Sequence, residues 1–222
     1  MPEIYAKSGI LENLAGNQNL IAIDTSLGSL VAVNNGNKYW EFGSSDPLAH
    51  AEVISELISR ALDAADLNSA TLTGVVMGVG PGPFTGLRIG MAAATAYALG
   101  ANLPLLPVVS HEAGALGKAI ETGYTGALAV VQDARRKELF ITAYEIADAH
   151  TIPNPLRESY VVKRAEHQES LPEFWPEAVS GVGLLSAAHL RLQAGGEFGS
   201  RDPLYLRDPD VRPPAGVKPV VR

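Results

Sequence analysis

The chain has 222 residues, 46% hydrophobic and 18% charged, a balance that excludes a polar disordered chain. It contains no cysteine, which removes disulfides, thiol nucleophiles and Cys-ligated metals and suits a reducing, cytoplasmic setting. Lys+Arg 17 against Asp+Glu 24 gives a net charge of −7, the wrong sign for broad phosphate neutralisation; no apolar run is long enough to span a membrane, and no secretory signal pattern occurs.

Residues 1–18 have no clean period and are expected to be an optional, unstructured leader. Leu20 to Ile23 reads as a buried strand ending at Asp24-Thr25-Ser26. Ser29 to Val33 and Lys38 to Phe42 flank Asn34-Asn35-Gly36-Asn37, where Asn-Gly supplies the positive φ of a tight turn, so the chain opens as an antiparallel meander. Asp46-Pro47 fits a helix cap and first position, launching a helix over Leu48 to Leu62. The apolar residues of that helix, among them Val53, Ile54, Leu57, Ile58 and Leu62, sweep roughly half its circumference, wider than one core contact needs. Thr73 to Val79 is a second buried strand, and Gly86 to Leu99 a helix capped by Thr85 and stopped at Gly100. Its small and apolar residues nearly encircle it, with Arg88 and Thr95 as the polar line, so cover on more than one side is expected.

The second half echoes the first. Ala127 to Val131, then Gln132-Asp133-Ala134-Arg135, then Glu138 to Tyr144 repeat the order strand, Asp loop, strand. Val179-Ser180-Gly181-Val182-Gly183 parallels Val76-Met77-Gly78-Val79-Gly80 and precedes a helix from about Leu185 to Ala194. The matching points lie about a hundred residues apart, as duplicated subdomains would place them. This predicts an α/β protein with tandem ribonuclease-H-like subdomains at 19–106 and 107–208, divided near Pro104 to Val108. The last 24 residues carry five basic side chains against three acidic ones and are rich in proline, so 209–222 is expected to be an extended tail.

The candidate sites are few. Gly80 and Gly82 lie where a strand meets a helix, and Asp24 and Thr25 close the first strand, so these four residues form the candidate nucleotide site. Against it, Pro83 breaks the dinucleotide fingerprint, no Gly-Lys-[Ser/Thr] follows, and Asp24 serves equally well as the cap of its own turn. His111-Glu112 begins like H-E-x-x-H, but Ala115 stands where the second ligand belongs, so no metal is expected. Arg135-Arg136-Lys137 is a basic cluster, read either as a solvated turn or, through Asp133 and Arg135, as a contact to a partner or an RNA phosphate.

Five segments taken together carry a resemblance. They are Ile21-Ala22-Ile23-Asp24-Thr25-Ser26; His50-Ala51-Glu52; the run from Gly80 to Gly90, Gly-Pro-Gly-Pro-Phe-Thr-Gly-Leu-Arg-Ile-Gly; the run Asp133-Ala134-Arg135-Arg136-Lys137-Glu138-Leu139-Phe140; and Pro203-Leu204-Tyr205-Leu206-Arg207. In this order they resemble the bacterial TsaB (YeaZ) family, with the Gly-Pro-Gly run shared by the paralogous TsaD family and Pro83 standing where serine is common. The resemblance implies a tandem actin-like fold and a subunit without catalytic residues or cofactor. Such a subunit dimerises with TsaD, and works with the ATPase TsaE, in threonylcarbamoylation of the adenosine beside the tRNA anticodon. It also implies homodimers when alone, tRNA contact only through the complex, and a TsaD metal motif reduced here to His111. The partner surface it implies is the helix pair 48–62 and 86–99, with His50, Val53, Ile54, Leu57, Leu87, Arg88, Met91 and Thr95 as its residues. The alternatives are a nucleotide-dependent kinase or ATPase of the actin-like superfamily and a metal-dependent glycoprotease.

Overall fold

A computed structural model describes residues 2–46 and 49–207. Its first sheet contains β1 (Tyr5–Ile10), β2 (Leu20–Asp24), β3 (Ser29–Asn35), β4 (Lys38–Ser44), β5 (Gly74–Gly78) and β6 (Leu105–Val108), in the order β1-β4-β3-β2-β5-β6. The first four strands pair antiparallel, whereas β5 joins β2, and β6 joins β5, in parallel. Every residue of β2 and β5 is buried, which is why both segments read as unbroken apolar runs rather than alternating ones.

Helices cover both faces of this sheet. Ile21, Ile23, Val31, Val33, Val75 and Met77 pack against α1 (His50–Ala65) and α2 (Phe84–Ala101). Leu20, Ala22, Leu30, Ala32 and Val76 face α3 (Ser110–Thr122) and α4 (Gly181–Gln193), through Leu116 on the first and Leu184, Leu185 and Ala188 on the second. The other side of α3 supports the second sheet, where Ala115 and Ala119 meet Leu128, Val130, Tyr144 and Ile146.

That second sheet contains β7 (Gly126–Asp133), β8 (Glu138–Ile146), β9 (Asn154–Pro155), β10 (Tyr160–Lys163) and β11 (Glu173–Phe174), ordered β10-β8-β7-β11 with β9 paired to β8. The β7-β8 hairpin beside a parallel β11 repeats β2-β3 beside a parallel β5, so the repeat seen in the sequence is a repeat of topology. Where the first unit has α1, the second has loops and one 3₁₀ turn at Arg164–Glu166.

Several expectations are corrected. The leader is not free: β1 pairs with β4 along its whole length, and Leu11 is buried in the core. The boundary expected near Pro104 to Val108 falls on the edge strand β6, and the core beneath that strand includes α4 from the far side of the boundary. Helix α1 begins at His50 after Ala49 with no side-chain cap; Pro47 and Leu48 lie outside the described residues. Thr85 sits inside α2, which starts after Pro83 and runs past Gly100 to Ala101. Helix α4 begins at Gly181, four residues early, where the Ser180 hydroxyl accepts the Gly183 N–H. The tail segment 209–222 lies outside the described residues.

Candidate functional site

The loops that follow β2 and β5 meet above the ends of those parallel strands, where open α/β sheets usually bind ligands. The four candidate nucleotide residues lie around this junction, and the bonds of Asp24, Thr25 and Gly80 go to neighbouring residues of the same chain. Asp24 is fully buried; its Oδ1 accepts the Ser26 N–H at 2.6 Å and its Oδ2 accepts the Ser110 hydroxyl at 2.5 Å. The first contact is the turn cap that the sequence offered as the alternative reading. Burial pushes the Asp24 carboxyl above the ordinary range against the pull of its serine donors. Ser110 Oγ also accepts the Gly80 N–H at 3.0 Å, and the Thr25 hydroxyl donates to Gly86 O at 2.6 Å while accepting the Gly90 N–H at 2.9 Å.

At Gly78 and Gly82 the two loops pack tightly on each other. A Cβ on Gly78 would strike the Asp24 carboxylate, and one on Gly82 would lie 2.8 Å from Ser26 Cα. The glycines at these two positions serve close packing of one loop on the other, not an open cradle for an anion. A helix N-terminus that could hold an anion is likewise occupied: the Gly181 N–H of α4 donates to Glu41 Oε2 at 2.9 Å.

Beneath the junction a buried polar chain crosses between the sheets. Gln132 Nε2 donates to Ser26 O at 2.7 Å, which leaves Gln132 Oε1 as an acceptor 3.2 Å from His111 Nε2. His111 Nε2 therefore carries the proton, and Nδ1 accepts from the Thr142 hydroxyl at 2.9 Å, which in turn accepts from Ser159 at 2.8 Å. Burial lowers the His111 pKa to about 4, consistent with a neutral ring. Its neighbour Glu112 forms a two-pronged ion pair with Arg191 of α4, both contacts 2.7 Å. Among the described residues no cluster of His, Asp and Glu is arranged to hold a metal ion.

The predicted partner residues divide sharply. Val53, Ile54, Leu57 and Leu87 are buried by this chain, at 2%, 7%, 0% and 1% exposure, so they are core and not interface. His50 is buried as well, with Nδ1 2.8 Å from the Ser29 hydroxyl. Ser29 is only 1% exposed, so this serine–histidine pair ties α1 to β3 and meets no substrate. The apolar width of α1 is used by the flank of its own sheet, and its outer side is polar, with a Glu56–Arg60 pair at 2.6 Å. Helix α2 is different: Arg88 and Thr95 are exposed, Met91 is half-buried, and Ala92, Ala96 and Leu99 make its outer face small and apolar. Leu99 is 82% exposed.

Sequence reasoning missed one element here, the strap 203–207. Leu204 N–H donates to Val79 O, Tyr205 stacks on Phe84 with centroids 4.8 Å apart, and Arg88 Nε donates to the Tyr205 hydroxyl. Arg207 then reaches Glu138 Oε2 at 2.6 Å. The strap thus joins α2 to the β7-β8 hairpin, whose Asp133 accepts the Arg135 N–H and lies 3.7 Å from Arg164. The sequence marked Pro203 to Arg207 only through the resemblance, because the residues that anchor it, Phe84 and Arg88, are far away in the chain.

Comparison with known proteins agrees with this architecture. A family model described as TsaD, tRNA N6-adenosine threonylcarbamoyltransferase, matches residues 47–192. An uncharacterised protein of Mycobacterium tuberculosis is 36% identical over 178 residues, covering 76% of this chain and 80% of that protein. The tRNA threonylcarbamoyladenosine biosynthesis protein TsaB of Escherichia coli is 30% identical over 201 residues, covering 88% of this chain and 81% of that protein. In three dimensions YeaZ from Pseudomonas aeruginosa superposes with a TM-score of 0.74 at 21% identity, covering 85% of this chain and all of that one, which fixes the fold as the ribonuclease-H-like, actin-like type. With the sequence relatives and the fold in agreement, the chain belongs to the TsaB (YeaZ) family.

Proposed function

We propose that this chain is a non-catalytic dimerisation subunit in the formation of N6-threonylcarbamoyladenosine in tRNA, pairing with a TsaD-type transferase and, through it, working with TsaE. Membership of the family supports the role in tRNA threonylcarbamoyladenosine biosynthesis. The observation that carries the pairing is the outer face of α2, where Ala92, Ala96 and Leu99 leave an apolar strip open to solvent. Small residues let a partner helix approach closely, and apolar area at such a contact is what an interface core is made of. The same face serves a second copy when no transferase is present. The junction at Asp24 and Thr25 supports the non-catalytic half of the proposal, because the Asp24 carboxyl and the Thr25 hydroxyl are engaged within the chain.

The test is size exclusion of the purified chain, alone and mixed with the cognate TsaD-type protein. Leu99→Glu, at an exposed position that leaves the fold intact, is expected to shift both the self-associated and the mixed species to lower mass. An unchanged elution profile for both would overturn the interface. ATP hydrolysis or tRNA modification by the isolated chain would overturn the non-catalytic assignment.

A further inference from the structure

The hairpin between β7 and β8 is built at an energetic cost that the other hairpin of the same topology avoids. Arg135, Arg136 and Lys137 all hold left-handed backbone conformations, with φ of 66°, 53° and 64°. Left-handed geometry costs a non-glycine residue roughly 1–2 kcal/mol, and Gly36 at φ 56° shows how the equivalent β3-β4 turn is made without that cost. Three successive basic residues in the strained turn therefore point to a use for their side chains. All three are exposed, and no side-chain partner holds Arg135 or Lys137 among the described residues.

The turn is the centre of a longer strip whose members are linked by contacts. Lys137 O accepts the Arg164 N–H, and the Arg164 guanidinium lies 5.6 Å from the ring centre of Trp175. Trp175 is 42% exposed, one of the few large apolar side chains left open, and its Nε1–H donates to Glu173 at 2.7 Å, which fixes the ring in place. On the other side Glu138 holds Arg207, and the strap leads to Tyr205, Phe84 and Arg88. The strip so traced carries seven cations (Arg88, the three of the turn, Lys163, Arg164 and Arg207). Against them stand four carboxylates (Asp133, Glu138, Glu166 and Glu173), in a chain whose net charge is −7.

From this juxtaposition of a strained basic turn, guanidinium groups and flat aromatic faces we infer that the strip is an RNA-docking surface, with the turn on backbone phosphates and Trp175 under an unpaired base. An acidic peptide would use the charge but leave the fixed, exposed indole without a role, whereas unpaired bases stack on such faces. An anionic bilayer also takes up indoles at its interface, and competition by vesicles separates that source from RNA. The choice of RNA as the polyanion rests on the proposed function, and it places direct RNA contact on a chain whose overall charge argues against it. The strip ends at Arg88, one turn from the α2 face given to the partner, so RNA held there lies beside the partner subunit.

The experiment is fluorescence anisotropy with the full-length chain and a labelled 17-nucleotide stem-loop RNA with an anticodon-type loop, across a salt series. Poly-glutamate and vesicles containing phosphatidylglycerol serve as competitors. Arg135→Ala/Lys137→Ala is expected to weaken binding at least about tenfold and to flatten the log–log salt dependence by about 1.4, the value for two lost contacts to single-stranded phosphates. Trp175→Ala is expected to weaken binding about 5-fold or more with the salt slope unchanged, as loss of one stacked base would. Variants that bind RNA as the parent does, or competition by poly-glutamate or vesicles as effective as by unlabelled RNA, would overturn the inference. Capture of the TsaD-type partner, read separately by size exclusion, tells failure of this strip from failure of the proposed function, since the three substitutions lie off the α2 face.

Discussion

Asp24 is the residue on which a catalytic and a structural account of this chain diverge most. Its two oxygens are shared between the Ser26 N–H and the Ser110 hydroxyl, and burial raises its pKa, so its ionised form is disfavoured in the fold. A carboxyl raised in this way binds its proton more tightly folded than unfolded, so its contribution to stability falls as pH rises through the folded pKa. Asp24→Asn keeps the acceptor for Ser26 and removes the charge. Thermal melts are expected to place it level with or above the parent at pH 7, with that margin shrinking on acidification, whereas Asp24→Ala is expected to lose about 1–3 kcal/mol. His111 has the opposite sign. Its pKa falls to about 4 on burial, so the unfolded chain binds the extra proton first and stability drains away as pH falls from 6.5 towards 4, by about 2 kcal/mol at pH 5. Guanidinium titrations at pH 7 and pH 5 are expected to show a smaller difference in His111→Gln than in the parent.

At the scale of elements, the sequence revealed those whose apolar pattern is self-sufficient and hid those that depend on a distant neighbour. The meander β2-β3-β4, the strand β5 and the hairpin β7-β8 were legible because Val/Ile runs and the Asn-Gly turn encode them locally. Strand β1 was hidden because Ala6, Lys7 and Ser8 carry no apolar signal; the strand exists through its ladder with β4 and the Lys7–Glu121 ion pair. The candidate site was legible only as far as its residue types. Asp24, Thr25, Gly80 and Gly82 do meet, but whether glycines open a cradle or admit a neighbouring loop is a matter of tertiary distance. For the helix pair, both α1 and α2 showed surplus apolar width, and only the packing tells that α1 spends it on its own sheet while α2 does not. The strap offers a direct check at this scale. Tyr205→Ala removes the ring on Phe84 and the hydroxyl that accepts from Arg88, and limited proteolysis is expected to cut between 196 and 207 several-fold faster, with far-ultraviolet circular dichroism unchanged.

For the molecule as a whole, what matters is that its core does not respect the repeat. The face of the first sheet formed by Leu20, Ala22, Leu30, Ala32 and Val76 is closed by Leu184, Leu185 and Ala188 of α4, a helix about eighty residues beyond β6, and by Leu116 of α3. Residues 1–106 alone would leave that face open to water. Each buried Leu or Val side chain is worth roughly 1.5–3 kcal/mol, so uncovering Leu20, Leu30 and Val76 removes about 5–9 kcal/mol, comparable with the whole margin by which a domain is stable. The Glu41 carboxylate would also lose the Gly181 N–H and remain half-desolvated without a donor. The fragment 1–106 is therefore expected to show no cooperative melt and to bind a hydrophobic dye. The full chain is expected to unfold in one transition, with fluorescence and circular dichroism giving the same midpoint. Two separated transitions in the full chain, or a cooperative melt of the fragment, would mean that each repeat closes its own core and that α4 only rests upon the first. If the single transition holds, a change at the second sheet, including occupancy of its basic turn, acts on the same folding unit that carries the α2 face.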